Sequence, residues 1–230
     1  MSIEQRIKRL GELKSDDEIV RKLNLEVQKR PAIANLFSYL KDADIDFKTV
    51  INRNTWTSKL GRDTHSVDLG IQPIPQHIKE KALFLEHKFS DEDTIIYRYL
   101  HELSHALYQH FASKVDFVDL NQDFLEFAQK MNDENGYNLS TLPSLPAYHQ
   151  DGLTGALEDI AELLAMRLYS EEYFNQYMEM LQKDTSNKRE LKLHTLNKQE
   201  TEFVKSYVEK FIDLASKAKY TRPQKLTRIY

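Results

Sequence analysis

The stretch that decides this chain is Ser90-Asp91-Glu92-Asp93-Thr94-Ile95-Ile96-Tyr97-Arg98-Tyr99-Leu100-His101-Glu102-Leu103-Ser104-His105-Ala106-Leu107-Tyr108-Gln109-His110-Phe111-Ala112. Neither Gly nor Pro interrupts it. Ile96, Leu100, Leu103, Leu107 and Phe111 recur at helical spacing and form one apolar stripe. Ser90 followed by Asp93 reads as a capping box, with Asp91 and Glu92 favourable in the first turn. The spacing therefore predicts an amphipathic helix. Within it His101 and His105 stand one turn apart on a single face, near enough to grip one metal ion. Glu102 lies between them, where a carboxylate can take a proton from water beside that metal. At about 100° per residue the two histidines fall far round from the apolar stripe, which places them away from the core. Two histidines on a solvated face are the bland alternative. The arrangement is the H-E-x-x-H of zinc hydrolases, and it points to metal-dependent hydrolysis, most often of peptide bonds.

A catalytic zinc needs a third protein ligand and an open fourth position. Gly155 to Leu168 reads as a second helix, with Leu157, Ile160, Ala161, Leu164 and Leu168 as its buried stripe. Glu158 and Glu162 share an adjoining face one turn apart. Glu158 would ligate the metal. Glu162 could accept a hydrogen bond from the free ring nitrogen of a ligating histidine, fixing its tautomer. The alternative is that both carboxylates are solvated, as charged helix residues usually are.

His101-Glu102-Leu103-Ser104-His105 followed by Glu158-Asp159-Ile160-Ala161-Glu162 resembles the gluzincin zinc metallopeptidases. Their pattern is H-E-x-x-H, a variable gap, then E-x-x-A/S-D/E on a second helix. The E-x-x-A-E form is similar to that of the anthrax lethal factor branch and of the single-domain minigluzincins. The likeness covers about residues 65–170 and rests on a handful of positions. It implies zinc as cofactor, held by His101, His105 and Glu158. Glu102 would be the general base, Glu162 the acid that orients a ligating histidine, and a peptide or protein the substrate. The chain departs from the thermolysin-like and aminopeptidase branches in the much longer gap between His105 and Glu158. Metzincins are set aside, because their motif requires Gly at Tyr108 and His at Phe111. His110 stands one place too early for that third ligand.

The gap predicts a helix at about Asn121 to Asn132, then a turn-rich stretch from Asp133 to Gly152 that would suit a substrate-facing loop. Within it Tyr148 and His149 are candidate donors to the oxyanion of a tetrahedral intermediate. The lethal factor branch has its Tyr seven positions ahead of the glutamate ligand, which here is Asp151. A loop Tyr packing its ring on the second helix is the alternative for Tyr148.

Composition bounds the rest. The 230 residues carry a net charge of −4, 40% apolar residues and no Cys. This suits an ordinary globular protein without disulfides or thiolate metal sites. The mild negative charge gives no reason to expect nucleic acid. The polar N-terminus and the lack of any run of about 18 apolar residues argue against a signal segment or membrane helix, and favour the cytoplasm. The oligomeric state is not legible.

The expected fold is α+β and mainly helical: a small twisted sheet, then the H-E-x-x-H helix and the glutamate-ligand helix. Residues 1–43 would be an N-terminal helical segment, with helices at about Ser2 to Leu13, Asp16 to Arg30 and Ala32 to Lys41. Residues 44–218 would be the zincin-like metallopeptidase domain, and 219–230 a basic tail. Ile45 to Asn52 and His65 to Gln72 read as strands, Ala82 to His87 as a strand or helical turn, and Glu171 to Lys183 and Lys198 to Ala218 as helices. Val67 to Ile71 is either an edge strand that binds extended substrate or an interior strand bulged at Gly70. The sequence thus favours a zinc metallopeptidase. Its competitors are a zinc hydrolase of non-peptide substrates and a partner-binding protein with a vestigial site. Glu102 argues against the last, since a structural zinc has no use for a base.

Overall fold

A computed structural model describes residues 16–61, 65–75, 91–112, 114–135, 139, 152–183 and 194–219. In chain order its elements are α1 (Asp16–Val27), α2 (Pro31–Asp42), β1 (Lys48–Asn52), β2 (Lys59–Leu60), β3 (Ser66–Gly70), α3 (Asp91–Phe111), α4 (Val115–Asn135), α5 (Gly152–Tyr169), α6 (Glu171–Leu181) and α7 (Lys198–Lys217). The described residues are therefore mainly helical with one small sheet, as the sequence predicts for an α+β chain. The segments around Ser2 to Leu13 and Ala82 to His87, Ser90, and the tail beyond Lys219 lie outside the described residues.

A helix buried on most of its sides belongs at the centre of a protein, and α5 is such a helix, with Asp159 and Glu162 among its buried residues. Not only Ile160, Ala161, Leu164 and Leu168 but also Leu163, Ala165 and Met166 are buried, whereas Leu157 is only partly so. The single stripe expected from the sequence is thus too narrow. α3, α4 and α6 all pack against α5, and the α3–α5 contact is the most extensive in the fold. On its other side α3 lies against β2 and β3. The five residues of the predicted stripe of α3 are buried as expected.

The N-terminal helices share this core. Ile19, Leu23 and Val27 of α1 and Ile33, Leu36 and Leu40 of α2 are buried in the same cluster as the interior of α3 and α5. Pro31 opens α2 at its first turn, where its missing N–H does no harm. Arg30 before it donates from Nε to the Leu168 carbonyl (2.5 Å) and from a terminal nitrogen to the Glu26 carbonyl (2.6 Å), so one guanidinium ties the ends of α1 and α5. Asn35 does the same for α7, donating to the carbonyls of Ala215 and Ala218 at 2.6 and 2.5 Å.

The strands are ordered β1-β3-β2, with β1–β3 parallel and β2–β3 antiparallel. Register runs unbroken from Lys48↔Ser66 to Asn52↔Gly70, so β3 is the interior strand, with neither an exposed edge nor a bulge at Gly70. To reach the far edge, the chain leaving β1 must cross the end of β3, and it does so directly over Gly70. A Cβ at Gly70 would lie 2.3 Å from the Thr57 carbonyl and 2.7 Å from that of Thr55. Only glycine allows that approach. The crossing is fixed by hydrogen bonds from Gln72 N–H to the Thr55 carbonyl (3.1 Å) and from Gly70 N–H to Ser58 Oγ (3.1 Å). Arg98 of α3 clamps it, donating to the carbonyls of Trp56 and Gln72.

Candidate active site

The sequence places His101 and His105 one turn apart, and α3 presents both toward α5. The bonds that bring them together are short. Glu158 Oε2 lies 3.3 Å from His101 Nε2 and 3.4 Å from His105 Nε2, and the two Nε2 atoms are 3.2 Å apart. Three donor atoms thus make a nearly equilateral triangle. A tetrahedral ion with ligands at about 2.0–2.1 Å spaces them about 3.3–3.4 Å apart. The triangle therefore fits one metal ion, with a fourth position left open. Among the described residues this is the one His/Cys/Asp/Glu trio whose donor atoms converge in this way.

Glu162 follows one turn after Glu158 and turns inward. Its Oε2 lies 2.8 Å from His101 Nδ1, and its Oε1 accepts the Tyr97 hydroxyl at 2.5 Å. Glu162 is 1% exposed. A polar group so deep needs hydrogen-bond partners, and each Glu162 oxygen has one. The hydrogen bond at Nδ1 directs the other ring nitrogen toward the trio. The alternative of two solvated carboxylates fails for Glu162, which is buried and engaged at both oxygens.

The histidine face differs from the sequence reading. His101 and Glu102 are each 7% exposed, because α5 covers the face that the helical wheel leaves toward solvent. The site opens on the other side, where the Glu158 and His105 side chains are 37% and 20% exposed.

Electrostatics follow from this burial. Burial pushes the Glu102 carboxyl above its usual range, with the Glu158 charge adding to it. The two histidines and a hydrogen bond from the Leu60 backbone pull the other way and do not cancel the rise. Burial disfavours the charged forms of Glu158 and His101 as well, yet is outweighed. Hydrogen bonds and charge from both histidines hold Glu158 well below the carboxylate range, and Glu158 and Glu162 raise His101 well above the histidine value.

Tyr148 and His149 lie outside the described residues. His110 is not among the converging donors. Its ring lies 5.5 Å from that of His65 and 6.0 Å from that of Tyr39, at the far end of α3. Two contributors escape the sequence reading. Leu60 acts through its backbone and leaves no side-chain signal. Tyr97 did leave one, since it precedes His101 by the same four-residue step that separates the histidines.

Asp159, between the two glutamates, points away from the trio. Its Oδ2 accepts the Leu139 N–H at 3.1 Å, while Tyr177 of α6 donates to the Leu139 carbonyl at 2.9 Å. Leu139 is thus pinned both to the helix that carries Glu158 and to α6. Comparison with protein-family models, curated proteins and solved structures found no match.

Proposed function

We propose that this protein is a zinc-dependent metallopeptidase of the gluzincin type, with His101, His105 and Glu158 holding zinc and Glu102 acting as general base. The observation that carries the reading is the donor triangle, 3.2–3.4 Å on each side, with a buried carboxylate beside it. Two imidazoles and one carboxylate are the donor set of one class of catalytic zinc site, and three ligands leave room for substrate. When bound, zinc supplies Lewis acidity, lowering the pKa of water and polarising a scissile carbonyl. Glu102, whose carboxyl burial pushes above its usual range, would accept the proton of the attacking water and pass it to the leaving amine. Glu162 holds His101 in one tautomer throughout.

A peptide substrate is consistent with the sheet edge. β2, not β3, is the edge strand whose Leu60 backbone reaches Glu102, so an extended substrate chain that pairs with a sheet edge by main-chain hydrogen bonds would lie beside the general base. The open side of Glu158 and His105 gives that chain its approach.

The test is elemental analysis of purified protein together with digestion of a mixed peptide library. The expected result is about one zinc per chain and cleavage that a chelator stops and zinc restores. A protein that takes up no zinc when zinc is offered, or that binds zinc and cleaves nothing, overturns the proposal.

A further inference from the structure

We infer that Tyr97 is a positioning residue for the metal centre, acting through Glu162 to fix which nitrogen of His101 faces the ligand triangle. The inference rests on the metal-site reading above and adds a residue to it. Tyr97, Glu162 and His101 form an unbroken buried chain. The phenol hydroxyl is 2.5 Å from Glu162 Oε1, and Glu162 Oε2 is 2.8 Å from His101 Nδ1. His101 Nε2 in turn sits 3.3 Å from Glu158 Oε2 and 3.2 Å from His105 Nε2. The carboxylate is therefore held at both oxygens, by one donor from each of two successive turns of α3.

That two-point grip matters because a carboxylate held at one oxygen can swing about its last bond. With Oε1 engaged by Tyr97, Oε2 stays aimed at Nδ1, the ring proton stays on Nδ1, and the Nε2 lone pair faces the metal position. The phenol is itself braced. Its ring meets those of Tyr169 and Tyr173 edge-on, at centroid distances of 5.8 and 6.3 Å and interplanar angles of 74° and 87°. Burial raises the Tyr97 pKa well above its ordinary value, with the Glu162 charge adding to it, so the hydroxyl remains a donor across the working pH range. If the ring served only to fill space, the hydroxyl would be dispensable.

The experiment is a zinc titration against a chromophoric competitor chelator, on the full chain. It compares the unmodified protein, Tyr97→Phe, Glu162→Gln and the double variant, with circular dichroism of each to establish folding. Loss of a group that orients a ligating histidine weakens metal affinity by about 10–100-fold. Tyr97→Phe, one step further out, should fall near the low end, at about 10-fold. In the Glu162→Gln background the same substitution should change affinity by less than about 2-fold, because the two residues act as one unit. Unchanged affinity in Tyr97→Phe, or an equal loss in both backgrounds, overturns the inference while leaving the metal site intact. No zinc binding by the unmodified protein overturns the metal site itself and the inference with it. A second measurement serves should Tyr97→Phe not fold. In the unmodified protein the Tyr97 hydroxyl proton should give a slowly exchanging downfield resonance with a nuclear Overhauser contact to the His101 Nδ1 proton. Its absence counts against the chain of bonds.

Discussion

Glu102 occupies the one position in α3 that is flanked by both histidines and reached by the backbone of the sheet edge. Burial raises its pKa, and a hydrogen bond from the Leu60 backbone pulls the other way. Because Glu102 is not among the three converging donors, Glu102→Gln should leave zinc affinity and the folded state nearly unchanged. Peptide cleavage should fall by at least about 10²–10⁴-fold, since the substitution removes the group that carries the proton. Turnover measured at equal zinc occupancy checks this, and undiminished cleavage would exclude Glu102 as the base. At this scale the sequence was informative where chemistry depends on spacing. His101, His105, Glu158 and Glu162 lie at helical repeats, and the structure brings all four together. It was uninformative where chemistry depends on what lies across the gap. Nothing in residues 91–112 says that α5 will bury His101, and no residue type announces that Leu60 contributes an N–H.

Polar groups of α3 tie it to α1, α5 and the sheet, and Tyr99 is the clearest case. Its hydroxyl donates to Asn24 Oδ1 of α1 at 2.9 Å and bonds Thr49 Oγ1 of β1 at 2.8 Å, so three elements meet at one phenol. Burial raises its pKa to about 12, against a smaller downward pull from Thr49. The folded state therefore holds this proton more tightly than the unfolded chain, whose tyrosines titrate near about 10. The stabilisation is complete below about pH 10 and is lost as pH rises from there through about 12, by about 3 kcal/mol at most. Tyr99→Phe should cost about 1–3 kcal/mol at pH 8, where Asn24 and Thr49 lose their partner. It should then lose less stability than the unmodified protein between pH 8 and 11, as urea midpoints at the two pH values would record. An equal alkaline loss in both proteins would show that Tyr99 is not its source. Elements were legible where local chemistry marks them: Pro31 at the start of α2, and the apolar repeats of α3 and α7. α4 starts six residues earlier than its apolar pattern suggested. The reason is that Val115 and Val118 stand exposed in its first turns, Val115 at 90%, so the repeat there is out of phase with burial. The order of the strands was beyond local pattern. β2 is two residues long, and the place of β3 between its neighbours is decided by a chain crossing over Gly70.

The three proposed metal ligands sit on α3 and α5, the two helices with the most extensive contact among the described residues. An ion held by His101 and His105 from one and Glu158 from the other would cross-link the pair on which the remaining helices pack. The unfolded chain has no such triangle, since Glu158 is distant in sequence from the histidines. Metal should therefore bind the folded state almost alone and stabilise it by mass action. At a free concentration one hundred times the dissociation constant this amounts to about 2.7 kcal/mol. For a chain of this size that is a rise in melting temperature of about 5–10 °C. Thermal unfolding with zinc, with a chelator, and with zinc restored should move the midpoint up, down and up again. Glu158→Ala separates this site from adventitious binding elsewhere. It removes the α5 ligand from a side chain that is partly exposed, so the metal-free fold should tolerate it, while most of the zinc-dependent rise should vanish. A rise of equal size in Glu158→Ala would place the stabilising ion somewhere other than between α3 and α5.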